Sequence, residues 1–331
     1  MMKAMVIDGF GGVEKLRLME LPDLKPAPGN LTIDVAYAGV GYADILLRRG
    51  EFGSSFSMPL IPGLEVSGYV RAIGEGVEGF YVGQPVASMT LLNLGGYATM
   101  ANVRASLTVP LDSLGSELDL ATAAASIVNL TTAYMAIKDV HRMQAGSKVL
   151  IHAAAGGLGS FLGQVAKRLG AKHVMGTVGS TGKLKLAESL GYDELFIREE
   201  FVERVLDATG GAGVDAVFDP VGGEARSRSL QVLSPLGQLV VVGNASGEPD
   251  MLQSMNGLWI GNQAIAGFSL GGYAETAPNK VGAAAKEALG MLARGELRSE
   301  VSGVYPLEQA AETHLLLEKK NTIGKIVLQI Q

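Results

Sequence analysis

The sequence predicts an α/β protein in which a β-rich first third, a small barrel or sandwich, precedes a parallel sheet covered by helices on both faces. Three observations carry this. Residues 31–37, Leu-Thr-Ile-Asp-Val-Ala-Tyr, place large apolar side chains at alternate positions, the period of a half-buried strand. From Lys148 to Leu270, short apolar runs alternate with helix-forming segments, the pattern of a doubly wound sheet. The length of 331 residues suggests roughly two domains.

In the first third, Pro28-Gly29 and Pro62-Gly63 mark turns around the strand at 31–37. Val66 to Ile73 and Pro85 to Met89 follow as further short strands with glycines between them. Near residue 116 the pattern changes. Ser116 to Lys138 is Ala-rich and predicts a long helix, with Ser116 placed as its cap. Strands are then predicted at 148–152, 172–178, 194–197, 214–218, 237–243 and 263–268, with helices in most of the gaps. The last segment predicts helices from Asn279 to Arg294 and from Leu307 to Lys319, then an apolar strand from Lys325 to Ile330. Three elements are few for an independent domain, so they are expected to return and complete the first one.

Composition narrows the function. Hydrophobic residues make up 47% and charged residues 18%, so sizeable cores can form and disorder is not expected. A net charge of −6, with Lys and Arg scattered, offers no field for nucleic acid or acidic lipid. Cysteine is absent, which excludes disulfides, thiol nucleophiles and thiolate ligands. His141, His152, His173 and His314 show no ligand spacing such as H-x-x-x-H. The start lacks a long apolar signal core, and no apolar run approaches the ~20 residues of a membrane span. A cytoplasmic protein with no nucleic-acid or membrane partner is expected.

The most informative stretch runs from Val149 to Gly159, an apolar strand entering His152-Ala153-Ala154-Ala155-Gly156-Gly157-Leu158-Gly159 and then a helical pattern from Ser160 to Lys167. This is the dinucleotide fingerprint with its first glycine replaced by Ala154. Gly156 would let the backbone approach a pyrophosphate, and Gly159 would permit close helix–strand packing. The N–H groups of Gly157 and Leu158, at the helix start, would face the anion. A tight packing turn looks similar in isolation, but this one opens a run of strand–helix units, which favours a dinucleotide. NAD enzymes carry an acid about 20 residues later, on the ribose hydroxyls. Here that region reads Thr177-Val178-Gly179-Ser180-Thr181-Gly182-Lys183, with no acid. A carboxylate would repel a 2′-phosphate, whereas Ser180, Thr181 and Lys183 could accommodate one, and Thr177 at the strand end is a further expected cofactor contact. NADPH is the expected cofactor, with an ordinary cap and a solvated lysine as the structural alternative.

Taken together, the motifs resemble a known family. His152 to Gly159 is similar to the H-A-A-A-G-G-V-G core of the quinone oxidoreductases. Val214 to Gly223, Gly243-Asn244-Ala245-Ser246-Gly247 and Pro62 to Gly68 resemble that family's V-D-V-V-x-D-x-V-G-G, G-N-A-S-G and P-G-x-E-x-x-G segments, in order along nearly the whole chain. The resemblance, to zinc-free, zeta-crystallin-like members of the medium-chain dehydrogenase/reductase superfamily, implies a Rossmann domain over residues 122–270. A GroES-like, mostly β catalytic domain would be split between residues 1–121 and 271–331. It also implies a homodimer and independence of zinc. Where zinc alcohol dehydrogenases carry Cys and His ligands, this chain has Gly41, Leu64 and Val128, which cannot ligate a metal. Without a Lewis acid, reduction of a quinone or a polarised C=C fits better than alcohol oxidation.

The resemblance places Thr131 near the nicotinamide; a helix-start threonine bonded to the backbone is its structural alternative. Asn244, Phe268, Ser269 and Leu270 match segments that flank the nicotinamide, and Lys320 matches a basic residue near the adenosine phosphate. Tyr42, at the start of a predicted short helix facing the expected cleft, is the leading proton donor. Asp44 and Arg48 have the spacing of an i,i+4 ion pair. Glu65 has the character of an internally paired acid, with an arginine as its expected partner. The family often has Asn at Gly41, Tyr at Leu46 and, in some members, a phosphate-contacting Tyr at Ile197. Those departures keep two alternatives open. One is a noncatalytic NADPH-binding structural or RNA-regulatory relative. The other is an enoyl-thioester reductase, for which Arg48, Arg49 and Arg71 could supply a basic groove.

Overall fold

The computed structural model describes residues 1–51, 56, 58–186, 188–320 and 322–331. Its first segment runs through β1 (Met2–Ile7), β2 (Leu16–Leu21), β3 (Asn30–Val40), α1 (Tyr42–Arg49), β4 (Glu65–Ile73), β5 (Pro85–Met89), β6 (Met100–Arg104), β7 (Thr108–Pro110) and α2 (Leu120–Met135). Then come β8 (Lys148–Ile151), α3 (Gly157–Arg168), β9 (His173–Val178), β10 (Glu194–Ile197), α4 (Phe201–Thr209), β11 (Val214–Asp219), α5 (Gly223–Ser229), β12 (Leu233–Val241), α6 (Met255–Gly261) and β13 (Ala264–Gly267). The chain ends with α7 (Leu270–Thr276), α8 (Pro278–Ala293), β14 (Val301–Pro306), α9 (Ala310–Glu318) and β15 (Lys325–Gln329). It forms two units, Met1–Thr131 with Leu270–Gln331, and Thr132–Ser269.

In the first unit β14-β15-β3-β4-β5-β7 form one sheet, with β6 also paired to β3. The returning segment enters this sheet through β15, antiparallel to β3 from Ile326↔Val40 to Gln329↔Tyr37. The alternation predicted at 31–37 places Leu31, Ile33 and Val35 in the core, and then its parity changes: Ala38 and Val40 are buried while Tyr37 is not. The cause is a register shift between Val35 and Tyr37 opposite β4. Gly68 lies beside it, and a Cβ there would fall 2.0 Å from the Asp34 carbonyl oxygen. One extra residue in a strand moves every later side chain to the other face.

The long helix starts later than its predicted cap. Asp119, not Ser116, accepts the Thr122 N–H (2.8 Å) at the N-terminus of α2, the bond of an N-cap carboxylate to the amide three residues on. Continued by a π-helical turn, the helix Leu120–His141 is long and apolar enough to cross a membrane by length and composition. No such run was expected. Its most apolar stretch is 72% buried, which is the condition of a core helix.

The second unit is a six-stranded parallel sheet in the order β10-β9-β8-β11-β12-β13. β8 comes first in the chain and lies inside the sheet. The strands run outward from it to β10, then restart at β11, so the order reverses between β8 and β11. Leu150, Met175, Phe196, Val217 and Leu239 from five of these strands share a core with Phe201 and Val205 of α4. In such sheets ligands bind beyond the carboxyl ends of the strands, at that reversal.

Candidate functional site

The turn that leaves β8 is tight. Ala153 adopts φ +53°, a left-handed conformation rare for a residue with a Cβ. Gly156 caps α3 with φ −81° and ψ 172°. A Cβ on Gly159 would lie 2.2 Å from the Ala153 carbonyl oxygen and 2.8 Å from the Ala154 Cα, so the first turn of α3 rests directly on the strand exit. At Gly156 a Cβ would meet the same carbonyl at 3.2 Å. Gly157 and Leu158 are half-buried at the start of α3, and its first turn carries no acid. The leading N–H groups of a helix have no carbonyl one turn back, and its dipole favours an anion there. The cradle fits a pyrophosphate.

Beneath the turn, His152 is fully buried, with Nδ1 2.9 Å from the Thr177 hydroxyl and Nε2 2.8 Å from the Ser229 hydroxyl. Burial, opposed by Asp219 and assisted by Arg198 and Arg228, lowers its pKa to about 4, so the ring is neutral. This corrects the expectation for Thr177. Its side chain is fully buried and committed to His152, so it serves the cradle from below and not the ligand.

At the end of β9, Gly179 and Ser180 are exposed and Lys183 is half-buried. Burial, and after it the charge of Arg198, lowers the Lys183 pKa. Asn244 is exposed; its Nδ2 donates to the Glu248 carbonyl (3.1 Å) and its Oδ1 accepts from Ser246 (3.2 Å). A Cβ on Gly222 would fall 2.0 Å from the Asn244 Oδ1, so this side chain packs closely on the turn after β11. Phe268 and Ser269 follow β13, and the Phe268 N–H donates to the Val241 carbonyl (2.9 Å). Leu270 is buried at the start of α7, and Lys320 follows α9 with φ +55°. Both belong to the first unit.

That unit holds the catalytic candidates. Tyr42 is the first, half-buried residue of α1, capped by Gly41. Asp44 is buried and does not pair with Arg48. Its carboxylate accepts the N–H groups of Gly41 (2.8 Å) and Gly63 (2.9 Å), and burial raises its pKa to about 6 against those bonds and Lys325. Arg48, 1% exposed, instead pairs with Glu318 of α9. An i,i+4 pair suits a surface helix, but a buried charge takes whichever ligand reaches it. Glu65 also departs from expectation. Its partner is Lys325 (2.5 Å), not an arginine, and its second oxygen accepts the Val128 N–H (3.0 Å). Thr131 is not at a helix start but well inside α2, fully buried, with its hydroxyl donating to the Ile127 carbonyl. Arg49 pairs with Glu318 (3.0 Å) and Arg71 with Asp34 (3.0 Å), so all three arginines of the supposed basic groove are held by carboxylates.

The side chains at Gly41, Leu64 and Val128 carry no donor atom for a metal. Among the described residues, no three His, Asp or Glu side chains are grouped to hold an ion. The residue the sequence reading overlooked is Arg198, one strand beyond the fingerprint. The parallel register of β9 and β10, which follows from their alternation with helices, was the signal that could have found it.

Residues 27–113 match the alcohol dehydrogenase GroES-like domain and residues 157–290 the zinc-binding dehydrogenase domain. The human synaptic vesicle membrane protein VAT-1 homolog is 29% identical over 99% of this chain and 86% of its own length. A probable quinone oxidoreductase of Schizosaccharomyces pombe is 34% identical over 97% of this chain and 94% of its own. The crystal structure of Escherichia coli quinone oxidoreductase complexed with NADPH superposes with a TM-score of 0.91 at 29% identity, covering 99% of this chain and 100% of that one. The glycine cradle, the parallel sheet and whole-length similarity agree: the chain belongs to the medium-chain dehydrogenase/reductase family, in its quinone oxidoreductase group.

Proposed function

We propose that this protein is an NADPH-dependent reductase of quinones or α,β-unsaturated carbonyls that works without zinc. The observation that carries the reading is the cradle from Ala153 to Gly159, followed at the end of β9 by hydroxyls and a lysine in place of an acid. Gly156, Gly157, Leu158 and Gly159 would hold the pyrophosphate, and Ser180 and Lys183 the adenosine phosphate. When bound, NADPH supplies a hydride at the nicotinamide C4. The protein's own residues bind, orient and exclude water. Asn244, Phe268, Ser269 and Leu270 would flank the nicotinamide, and Lys320 would add a charge toward the phosphate. Tyr42 would give a proton from its hydroxyl to the reduced enone, whereas a reduced quinone can take its protons from solvent. No donor set for zinc is present at Gly41, Leu64 and Val128, so nothing there would stabilise an alkoxide.

An NADPH-oxidation screen across quinones, enals, enones and enoyl-thioesters, with and without a chelator, tests this. Turnover of a quinone or enone, unaffected by chelation, is expected. NADP-linked oxidation of ethanol with no turnover of any quinone or enone would overturn it. The pairing of Arg48, Arg49 and Arg71 with carboxylates counts against the enoyl-thioester alternative.

We read the protein as a cytoplasmic homodimer acting on a small molecule. β13 ends its sheet with Ala264 and Ile265 exposed, and nearby in the chain Trp259 and Ile260 of α6 are 77% and 73% exposed. An apolar sheet edge is a hazard unless paired, and a second copy could pair it about a twofold axis. Sedimentation should give a dimer at micromolar concentration. A monomer, or sedimentation with membranes, would contradict this.

A further inference from the structure

We propose that Arg198 binds the 2′-phosphate of NADPH, forming with Lys183 and Ser180 a dianion site at the carboxyl ends of β9 and β10; the proposal rests on the NADPH reading above. β9 and β10 are parallel, with Ile197 opposite Val178, so Arg198 and Gly179 are the first residues past the two strands. A Cβ on Gly179 would lie 3.7 Å from the Arg198 Nη2, so the guanidinium spans the strand end where a dinucleotide's adenosine ribose is read. Its Nε is buried and has no hydrogen-bond partner among the described residues. After burial, its positive charge helps to lower the pKa of Lys183 and of buried His152. The neighbouring Arg228 differs, since it donates to the Glu199 carbonyl (2.7 Å) and pairs with Glu224.

A buried guanidinium donor left unfilled beside a second cation is a setting that a bound anion would stabilise. The planar guanidinium presents paired donors that match two phosphate oxygens, whereas the Lys183 ammonium acts as a point charge. A ribose with two free hydroxyls gives the Arg198 guanidinium no charge to match. The arrangement therefore selects the phosphorylated dinucleotide.

Calorimetric titration with 2′,5′-ADP and 5′-AMP reads this site without turnover. The parent protein should prefer 2′,5′-ADP. Arg198→Leu should lower that preference at least about tenfold, or about 1.4 kcal/mol, through loss of 2′,5′-ADP affinity alone. Arg198→Lys should fall between the two, and it keeps the test available if the leucine variant folds poorly. An unchanged preference in both variants would overturn the role of Arg198 while leaving the NADPH reading intact. An equal loss for both ligands would also overturn it, since that is the signature of adenine stacking or of damage to the turn. A parent protein with no preference would overturn the NADPH reading and this assignment with it.

Discussion

Replacing Lys325 with Met removes the cation from a buried cluster that holds two carboxylates. Lys325 and Glu65 are 6% and 2% exposed and lie 2.5 Å apart, and Lys325 also lowers the pKa of Asp44. Breaking a buried pair leaves an uncompensated charge and costs about 3–5 kcal/mol. Glu65→Gln should cost less, because Lys325 keeps Asp44 as a counter-charge and the amide oxygen can still accept the Val128 N–H. The double change Glu65→Leu with Lys325→Met should recover most of the loss, to within about 2 kcal/mol of the parent; an unmet Val128 N–H would account for part of the remainder. The pH dependence has a definite sign. The folded pKa of Asp44, about 6, lies above its unfolded value of 3.8, so its contribution is present below 3.8 and lost as pH rises through 6. Without Lys325 that upper limit moves higher, so the deficit of Lys325→Met should grow from pH 5 to pH 8. Urea unfolding followed by far-UV circular dichroism, with hydrogen exchange of the β15 amides, measures this. Fluorescence would miss it, since the single tryptophan, Trp259, lies in the other unit. A cost below about 1 kcal/mol that does not vary with pH would refute the reasoning.

Gly159→Val should abolish dinucleotide binding, because its Cβ would meet the Ala153 carbonyl oxygen at 2.2 Å; titration with NADPH showing parent affinity would contradict this. Lys183→Glu should weaken NADPH at least about tenfold more than NADH, and an equal effect on both would point to damage elsewhere. Tyr42→Phe should slow enone reduction while leaving NADPH affinity and quinone reduction nearly unchanged; parent rates on every enone would remove it as the donor. The buried histidines have folded pKa values near 4 (His152) and 3 (His314), below the 6.5 of an exposed imidazole. The unfolded chain therefore takes up these protons first. Their stabilisation is present above pH 6.5 and lost as pH falls through 4 and then 3, by roughly 3 and 5 kcal/mol respectively. Urea midpoints that do not fall between pH 7 and pH 4 would count against this.

Much of the fold was legible in the sequence. All six strands of the parallel sheet lie within a few residues of their predicted positions, because an apolar run between helix-forming segments reports a buried strand through local composition. The cradle was legible for a related reason. Gly156 and Gly159 stand where a side chain would strike the backbone a few residues away, so the requirement is local and the residue type records it. Thr177 was misread because a hydroxyl beside a motif looks the same whether it faces a ligand or a buried imidazole.

Residue spacing by itself determined the strands, the doubly wound order and the glycine cradle, since each depends on neighbours within one or two turns of chain. The tertiary structure alone decided where buried charges go. Arg48 lies four residues from Asp44 yet pairs with Glu318, 270 positions away, while Asp44 is held by the Gly63 amide and Lys325 joins Glu65. It likewise set the parity change in β3, through the close approach of Gly68 to Asp34, and brought Arg198 over Gly179. On a solvated helix, spacing selects a partner because water makes every choice cheap. Inside the protein an unmatched charge costs several kcal/mol, so the partner is whichever group the fold delivers, and its position in the chain does not announce it.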